Sequence, residues 1–265
     1  MPYVDNQGVR IHYEIQGQGP PLVLQHGFRD SIDGWDEWGY LDRLKNDYRL
    51  YLVDARGHGA SDKPHDPESY EVSKLASDIV AVLDDAGLEH GNYWGYSMGG
   101  QIGFGLAQAV PQRLHSLIIG GMRPFNPGPV DPERQAQMQI ARERQMEIYS
   151  QGMEAVLAQR QSSGRPLTER EKGVLMANDP MALAASVSAR YGGGTGFSGL
   201  LPTMTMPCMI YGGEEDGMFF TGLEDWVHQI PNVTYFTLPS LDHGTCFDRS
   251  DLIVPQVAEF LAKVN

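Results

Sequence analysis

Hydrophobic residues recur along the chain with two different periods. Apolar and polar residues alternate over positions 9–16, and this period of two predicts a strand of an N-terminal hairpin. Amphipathic segments with helical spacing cover residues 69–87, 99–110, 223–230 and 251–264. Short apolar runs alternate with these helices and predict six further strands: LVLQ (22–25), YRLYLVD (48–54), GNYWG (91–95), LHSLIIGG (114–121), PCMIYGGEED (207–216) and NVTYFTLP (232–239). This order predicts an α/β fold with a mostly parallel central sheet and helices on both faces.

The alternation stops between residues 123 and 200, where only helical segments are predicted. The longest covers residues 131–161, with Asp131 as its N-cap, and a GGGTG joint at 192–196 precedes the next strand. We therefore expect a core of residues 1–122 and 201–265, with a helical cap of residues 123–200 inserted after the sixth strand. Such a cap would cover the carboxyl edge of the sheet, where open α/β sheets bind ligands. Methionines of this segment either pack its helices or line a pocket: Met138, Met146 and Met153.

Composition excludes several classes of function. The 265 residues are 41% hydrophobic and 20% charged, and the net charge of -14 argues against binding to nucleic acid or anionic membranes. No apolar run is long enough to span a membrane and no signal peptide is recognised, so the chain is expected to be cytoplasmic. It is also expected to be a monomer or a homodimer. The two cysteines, Cys208 and Cys246, are predicted to be reduced, and no cluster of metal ligands appears in the sequence.

The candidate chemistry begins at Gly95-Tyr96-Ser97-Met98-Gly99, which matches the pattern G-x-S-x-G. The match lies between a predicted strand and a predicted helix. A serine on such a sharp turn has a strained backbone and an exposed hydroxyl, and small flanking residues let the strand and helix approach closely. The setting predicts that Ser97 is a nucleophile, with Gly100 giving further room at the helix start.

A serine hydroxyl needs a base, and the base needs a carboxylate to orient it. His243 follows the last predicted strand, and Glu214, Glu215 and Asp216 follow the preceding one. Serine, acid and histidine therefore occur in the chain order that α/β-hydrolases use, with the choice of acid left open.

These motifs resemble those of α/β-hydrolases of the serine esterase and lactonase type over essentially the whole chain. The matching marks are HGF (26–28), Trp35, DARGHGAS (54–61), GYSMGG (95–100), GGEED (212–216) and DHG (242–244). The resemblance implies a catalytic triad of Ser97 as nucleophile, His243 as general base and acid, and Asp216 as the orienting acid, with Glu214 as the alternative acid. It also implies an oxyanion hole formed by the backbone N–H groups of Phe28 and Met98.

Neighbouring polar residues have structural interpretations. His26 is expected to hold the oxyanion loop by hydrogen bonds, and the DARGHGAS segment is interpreted as a turn whose polar groups satisfy the loop backbone. Asp242 is ranked low as an acid because adjacent side chains on an extended loop diverge. Arg29 and Asp30 either reach the mouth of the pocket or pair with each other.

Departures from relatives narrow the reaction. Dehalogenases and epoxide hydrolases resembling this chain use aspartate in place of Ser97, and related carbon–carbon bond hydrolases often carry an aromatic soon after the base, where this chain has Gly244. Peptidases of this fold place acidic residues in the lid; the candidates here, which a solvated helix face also explains, are Glu133, Glu143, Glu147 and Glu154. The remaining prediction is cofactor-independent hydrolysis of a small-molecule ester or lactone. Two alternatives stay open, a slow-turnover or non-turnover small-molecule receptor and a carbon–carbon bond hydrolase.

Overall fold

The computed structural model describes residues 2–124, 132–162, 164, 166–191 and 196–264. Eight strands form one sheet: β1 (Tyr3–Asn6), β2 (Val9–Gly17), β3 (Pro21–Gln25), β4 (Arg49–Val53), β5 (Gly91–Tyr96), β6 (Leu114–Gly120), β7 (Cys208–Gly213) and β8 (Val233–Leu238). Twelve α-helices are present in the described ranges: α1 (Asp33–Glu37), α2 (Tyr40–Leu44), α3 (Val72–Asp85), α4 (Met98–Ala109), α5 (Pro132–Ser150), α6 (Met153–Ser162), α7 (Glu169–Met176), α8 (Pro180–Tyr191), α9 (Gly217–Phe220), α10 (Leu223–Val227), α11 (His243–Phe247) and α12 (Ser250–Val264).

The sheet has the strand order β1-β2-β4-β3-β5-β6-β7-β8. Strands β1, β2 and β4 pair antiparallel, and every pairing from β4 to β8 is parallel. The parallel pairs are reached by crossover connections that carry helices, as the alternating pattern predicts. The expected α/β architecture with a mostly parallel sheet is confirmed.

Successive residues of the central strands point to opposite faces of the sheet, and each face is covered. Val23 joins a hydrophobic cluster with residues of α3 and α4, whereas Leu22 and Leu24 on the same strand join a second cluster with residues of α1, α2 and α12. Burial on both faces explains why these strands are continuous apolar runs in the sequence.

Strand β2 departs from the burial that its alternation predicts. His12, on the polar side of the pattern, is only 2% exposed, while Ile15 is 39% exposed. His12 is buried because its Nδ1 lies 2.8 Å from a carboxylate oxygen of Asp54, which supplies the polar partner that a buried imidazole requires.

Helices α5 to α8 lie between β6 and β7 in the chain and build a small core of their own. Tyr149, Met153 and Val156 pack there with Leu183, and Phe28 from the loop after β3 also contacts this cluster. The long helical segment predicted over residues 131–161 is divided into α5 and α6 at Gly152, whose φ is 91°. Asp131 and residues 192–195 of the predicted joint lie outside the described residues, as does the side chain of Met138.

Candidate active site

Ser97 lies at the turn between β5 and α4, in a backbone conformation that L-residues avoid. Its φ is 54° and its ψ is -111°. The Ser97 N–H donates to the Gly120 carbonyl on β6 at 2.8 Å, which ties the turn to the neighbouring strand. A non-glycine residue held in this conformation stores backbone strain and projects its side chain away from the sheet.

The glycines around Ser97 are required by close packing. A Cβ added to Gly95 would lie 2.2 Å from backbone atoms of Gly99, and one added to Gly99 would lie 2.2 Å from the Gln25 carbonyl oxygen. A Cβ on Gly100 would lie 2.8 Å from the Cβ of Met122. The positive φ of this turn belongs to Ser97, while its glycines let β5, α4 and the adjacent strands approach one another.

The structure brings Ser97, His243 and Asp216 together from three separate loops. His243 Nε2 lies 2.9 Å from Ser97 Oγ, and His243 Nδ1 lies 2.5 Å from Asp216 Oδ2. A carboxylate accepts, so Nδ1 carries the proton donated to Asp216 and Nε2 is left to accept from the serine hydroxyl. This arrangement can remove a proton from Ser97 and later return it to a leaving group.

Hydrogen bonds with backbone groups hold the segments that carry His243 and Asp216. His243 begins α11, where Asp242 accepts from the Thr245 N–H at 2.7 Å as a helix cap. The Tyr96 hydroxyl donates to the His243 carbonyl at 2.6 Å. Asp216 follows β7, is 4% exposed, and its Oδ1 accepts from the Phe219 N–H at 3.2 Å.

The other acidic candidates occupy different places. Glu214 is exposed, and its carboxylate accepts from the Thr237 hydroxyl at 2.8 Å. Glu215 is also exposed, and Asp242 is occupied as the cap of α11. Of the acids considered from the sequence, only Asp216 forms a hydrogen bond with His243 within the described chain.

The loop after β3 passes directly beside Ser97. A Cβ on Gly27 would lie 3.5 Å from the Cβ of Ser97. His26 is fully buried; its Nε2 accepts from the Ala55 N–H at 3.1 Å, so its Nδ1 donates to the Gly27 carbonyl at 2.7 Å. The prediction that His26 holds this loop by hydrogen bonds is confirmed.

The DARGHGAS segment is a buried polar scaffold behind that loop. Asp54 accepts from the N–H groups of Ile32 and Ala60, at 3.0 and 2.9 Å. Burial raises the pKa of Asp54, but these hydrogen bonds and the contact with His12 leave it below its usual value. Arg56 forms a buried ion pair with Asp78 at 2.5 Å. These contacts agree with the structural interpretation of the segment.

A cavity of about 230 Å³ opens beside Ser97 and His243. The core contributes one part of its lining: Gly27, Phe28, Arg29, Asp30, Asp33, Gly34, Glu37, Trp38, Tyr96, Gly244, Phe247 and Asp248. The α6–α7 region contributes the rest: Arg160, Leu167, Arg170, Glu171, Val174 and Leu175. The cavity therefore lies between the sheet's carboxyl edge and the helices inserted after β6.

Two residues of this cavity show features that sequence reasoning did not find. Arg170 on α7 reaches α1, where its guanidinium contacts Asp33 at 2.9 Å and Asp36 at 2.8 Å. Removal from bulk water raises the pKa of Asp30 to about 6, although its contacts with His26 and the Ser31 N–H oppose this. The acidic residues of α1 are spaced on one helical face, which is the signal in the sequence that could have indicated a cationic partner.

Other candidates from the sequence lie away from the cavity or are inert. Met146 and Met153 pack in the helical cluster, and the acidic residues weighed as peptidase ligands are exposed and absent from the cavity lining: Glu133, Glu143, Glu147 and Glu154. Cys208 and Cys246 are buried, and burial raises the pKa of each thiol to about 12. Arg29 and Asp30 both line the cavity, and no ion pair between them is found in the described residues.

The described chain shows neither a metal centre nor a membrane-spanning helix. Within those residues, no cluster of three or more histidine, cysteine or acidic side chains has the arrangement of a metal site. Across the same ranges, every helix is too short or too polar to cross a membrane.

Comparisons with known proteins place the chain in a family. Residues 20–158, more than half of the chain, match the model of the alpha/beta hydrolase fold. A non-heme haloperoxidase from Rhodococcus erythropolis is 27% identical, over 98% of this chain and 99% of that protein. Among solved structures, an esterase from Thermogutta terrifontis superposes with a TM-score of 0.81 at 21% identity, covering 99% of this chain and 98% of that one. An enol-lactonase from Burkholderia xenovorans superposes with a TM-score of 0.80 at 21% identity, covering 98% of this chain and 100% of that one. The chain therefore belongs to the alpha/beta hydrolase fold family.

Proposed function

We propose that this protein is a serine hydrolase that cleaves a carboxylic ester or lactone through an acyl-enzyme intermediate, without a cofactor. The observation that carries the proposal is the continuous hydrogen-bonded series from Ser97 Oγ to His243 to Asp216 at the wall of a cavity. This is the arrangement in which a serine is activated by a base that is itself oriented by a carboxylate.

In the proposed reaction, His243 Nε2 takes the hydroxyl proton as Ser97 Oγ attacks the carbonyl carbon. The C=O electron pair moves to oxygen and forms a tetrahedral oxyanion. When the pair returns, the bond to the alcohol oxygen breaks, and His243 gives its proton to that oxygen; in a lactone the alcohol stays tethered to the acyl group. Water then attacks the acyl-serine carbonyl, with His243 again taking the proton; the bond from the acyl carbon to Ser97 Oγ breaks, His243 returns the proton to Oγ, and the acid leaves.

The oxyanion is assigned to the N–H groups of Phe28 and Met98. Met98 begins α4, so its N–H lies in the first turn, at the positive end of the helix dipole. Phe28 follows Gly27, which packs beside Ser97. Each residue would contribute one backbone donor to the oxyanion, and removal of one such donor costs about 3 kcal/mol of transition-state stabilisation in serine hydrolases.

The same proposal assigns residues 123–200 the role of a cap over residues 1–122 and 201–265. Leu167, Val174 and Leu175 support it, because they form an apolar wall of the cavity that holds Ser97. The cavity volume of about 230 Å³ is below the range of about 300 to 1,000 Å³ that holds drug-sized ligands, which favours a short substrate. A cytoplasmic location and a monomeric or homodimeric state remain predictions.

The test combines turnover with labelling. Wild-type protein and Ser97→Ala are assayed on short p-nitrophenyl esters and a lactone panel, and both are treated with a serine-reactive phosphonate. We expect steady turnover and stoichiometric labelling that are both lost in Ser97→Ala. Labelling without turnover on the whole panel would contradict the esterase proposal and favour a receptor. Turnover retained by Ser97→Ala would show that Ser97 is not the nucleophile.

A further inference from the structure

Two arginines that line the cavity, Arg170 and Arg29, differ in their electrostatic surroundings. Arg170 is neutralised by Asp33 and Asp36, as described above, and its Nε lies 3.6 Å from Glu37. Arg29 forms no ion pair with a carboxylate in the ranges that the structure describes. Its guanidinium instead lies 5.6 Å from the centroid of the Phe28 ring. Arg29 is thus a cation at the cavity wall that has no anionic partner among the described residues.

The backbone of Arg29 is held in a conformation that favours glycine. Its φ is 66°. Asn178, from the turn between α7 and α8, donates from Nδ2 to the Arg29 carbonyl at 3.1 Å and to the Val174 carbonyl at 2.9 Å. A side chain at positive φ is disfavoured, whereas glycine adopts it readily. Strain of this kind concentrates at ligand sites, which points to a use for the arginine side chain.

Acidic side chains also line the cavity: Asp30, Asp33, Glu37, Glu171 and Asp248. Asp33 and Glu37 contact Arg170, as described above. Asp30 accepts from the Ser31 N–H at 2.8 Å, and a Cβ on Gly34 would lie 2.2 Å from its Oδ2, so this carboxyl packs against the start of α1. Glu171 accepts from the Thr168 N–H at 2.7 Å as part of a helix cap. The contacts described for these four carboxylates are made to groups other than Arg29, and no ion pair of Arg29 is found in the described residues, so its guanidinium is available to an anion that enters the cavity.

We infer that Arg29 is a specificity-determining residue that binds a carboxylate carried by the ester or lactone substrate. The inference rests on the proposed hydrolase function, since it names the class of substrate that Ser97 receives. A guanidinium presents paired N–H donors that match a carboxylate, and such bonds strengthen when water is partly excluded. Arg29 lines the same cavity as Ser97 and directly follows Phe28, which is assigned to the oxyanion.

The experiment measures kcat/KM on matched pairs of esters that differ only in charge. In one arm the carboxylate is on the acyl side, with monomethyl glutarate compared with methyl glutaramate. In the other arm it is on the alcohol side, with O-acetylglycolate compared with O-acetylglycolamide. We expect the wild type to prefer the carboxylate in one arm, and that arm identifies the side of the substrate that Arg29 binds.

Arg29→Gln should lower the carboxylate-to-carboxamide ratio in that arm by roughly 10- to 100-fold, as expected for a charged hydrogen bond. Arg29→Lys should lower it less, because it keeps the charge and loses the paired donors. Arg29→Gly, which removes the guanidinium and suits the positive φ, should reproduce the Arg29→Gln ratio. Exposed Arg43, which is absent from the cavity lining, provides the charge-matched control Arg43→Gln, for which we expect the wild-type ratio.

Several outcomes would overturn the inference. One is an unchanged ratio in Arg29→Gln and Arg29→Gly, even if both esters of a pair lose activity in parallel. Another is an equal loss of the ratio in Arg43→Gln, which would assign the preference to overall charge. Turnover of the esters without any dependence on Arg29 refutes this inference alone. Absence of both ester turnover and phosphonate labelling of Ser97 refutes the proposed function and this inference with it.

Discussion

His243 Nδ1 lies 2.5 Å from Asp216 Oδ2, across 27 residues of chain. Asp216 is buried, and Glu214, two residues earlier, is exposed. The turn after β7 thus directs one of two nearby carboxylates toward the imidazole and leaves the other in solvent. This contact defines which acid can hold the tautomer that leaves Nε2 free to accept from Ser97.

Asp216→Asn should therefore lower kcat by about 10³- to 10⁴-fold, because the amide allows the wrong histidine tautomer. Glu214→Gln is the matched control and should stay within about twofold of wild type, as expected for a surface contact away from the base. Steady-state kinetics on one p-nitrophenyl ester measures both. A larger loss in Glu214→Gln than in Asp216→Asn would reverse the assignment of the acid.

Strain at Ser97 predicts a stability difference between two variants that lack the hydroxyl. Ser97→Gly removes the side chain from the positive-φ position, while Ser97→Ala keeps a Cβ there. We expect Ser97→Gly to be more stable than Ser97→Ala by about 1 kcal/mol, since relief of strain exceeds the added entropy of the unfolded glycine chain. Urea unfolding midpoints compare the two. Equal stability would show that the turn stores no strain at this residue.

Close packing around Gly99 predicts that substitution by alanine lowers the free energy of unfolding. In Gly99→Ala the new Cβ meets the Gln25 carbonyl at 2.2 Å, and strand backbone cannot move aside cheaply. We expect a decrease of about 3 kcal/mol or more in the free energy of unfolding. Gly173→Ala, on α7 with open space at its Cβ, should instead raise stability by about 0.5 to 1 kcal/mol. Chemical denaturation measures both changes in the free energy of unfolding.

The raised pKa of Asp30 predicts how stability depends on pH. Because this pKa is about 6 in the folded state, against 3.8 for the ordinary carboxyl, the folded protein holds a proton there that the unfolded chain has released. The contribution of this group to stability therefore falls as pH rises through that interval and stays low above it. The free energy of unfolding of Asp30→Asn should therefore exceed that of the wild type by up to about 2 kcal/mol at pH 8, and the difference should vanish near pH 4.

Thermal or urea unfolding across this pH range measures that difference. Asp47→Asn is a suitable control, because Asp47 is exposed, and its difference from wild type should not vary with pH in this way. An Asp30→Asn difference that is constant with pH would contradict the burial of an ionisable carboxyl at this position.

The ion pairs of Arg170 predict how the proposed cap is held. Arg170→Gln removes the contacts of α7 with Asp33 and Asp36 on α1. We therefore expect faster amide hydrogen exchange in α7 and a decrease of about 1 kcal/mol in the free energy of unfolding. Lys172→Gln on the same helix is the control, since the ion pair of Lys172 within the described chain is with Glu169 of the same helix. Unchanged exchange of α7 in Arg170→Gln would mean that apolar contacts alone hold this helix.

The sequence alone determined the order of strands and helices, because periodicity and buried apolar runs are local properties of the chain. It also indicated the turn at Ser97, since glycines at 95, 99 and 100 satisfy a close approach that the local pattern already requires. The interpretations of His26 and of the DARGHGAS turn followed from the same turn chemistry.

Only the tertiary structure decided which distant side chains meet. The choice between Glu214 and Asp216 depends on how the loop after β7 faces α11, and the contacts of Arg170 join helices more than 130 residues apart. The burial of His12 and the raised pKa of Asp30 likewise arise from neighbours that other elements contribute. Local patterns carry no information on such pairings, because the contacts and the exclusion of water that produce them form only when the sheet and its helices pack together.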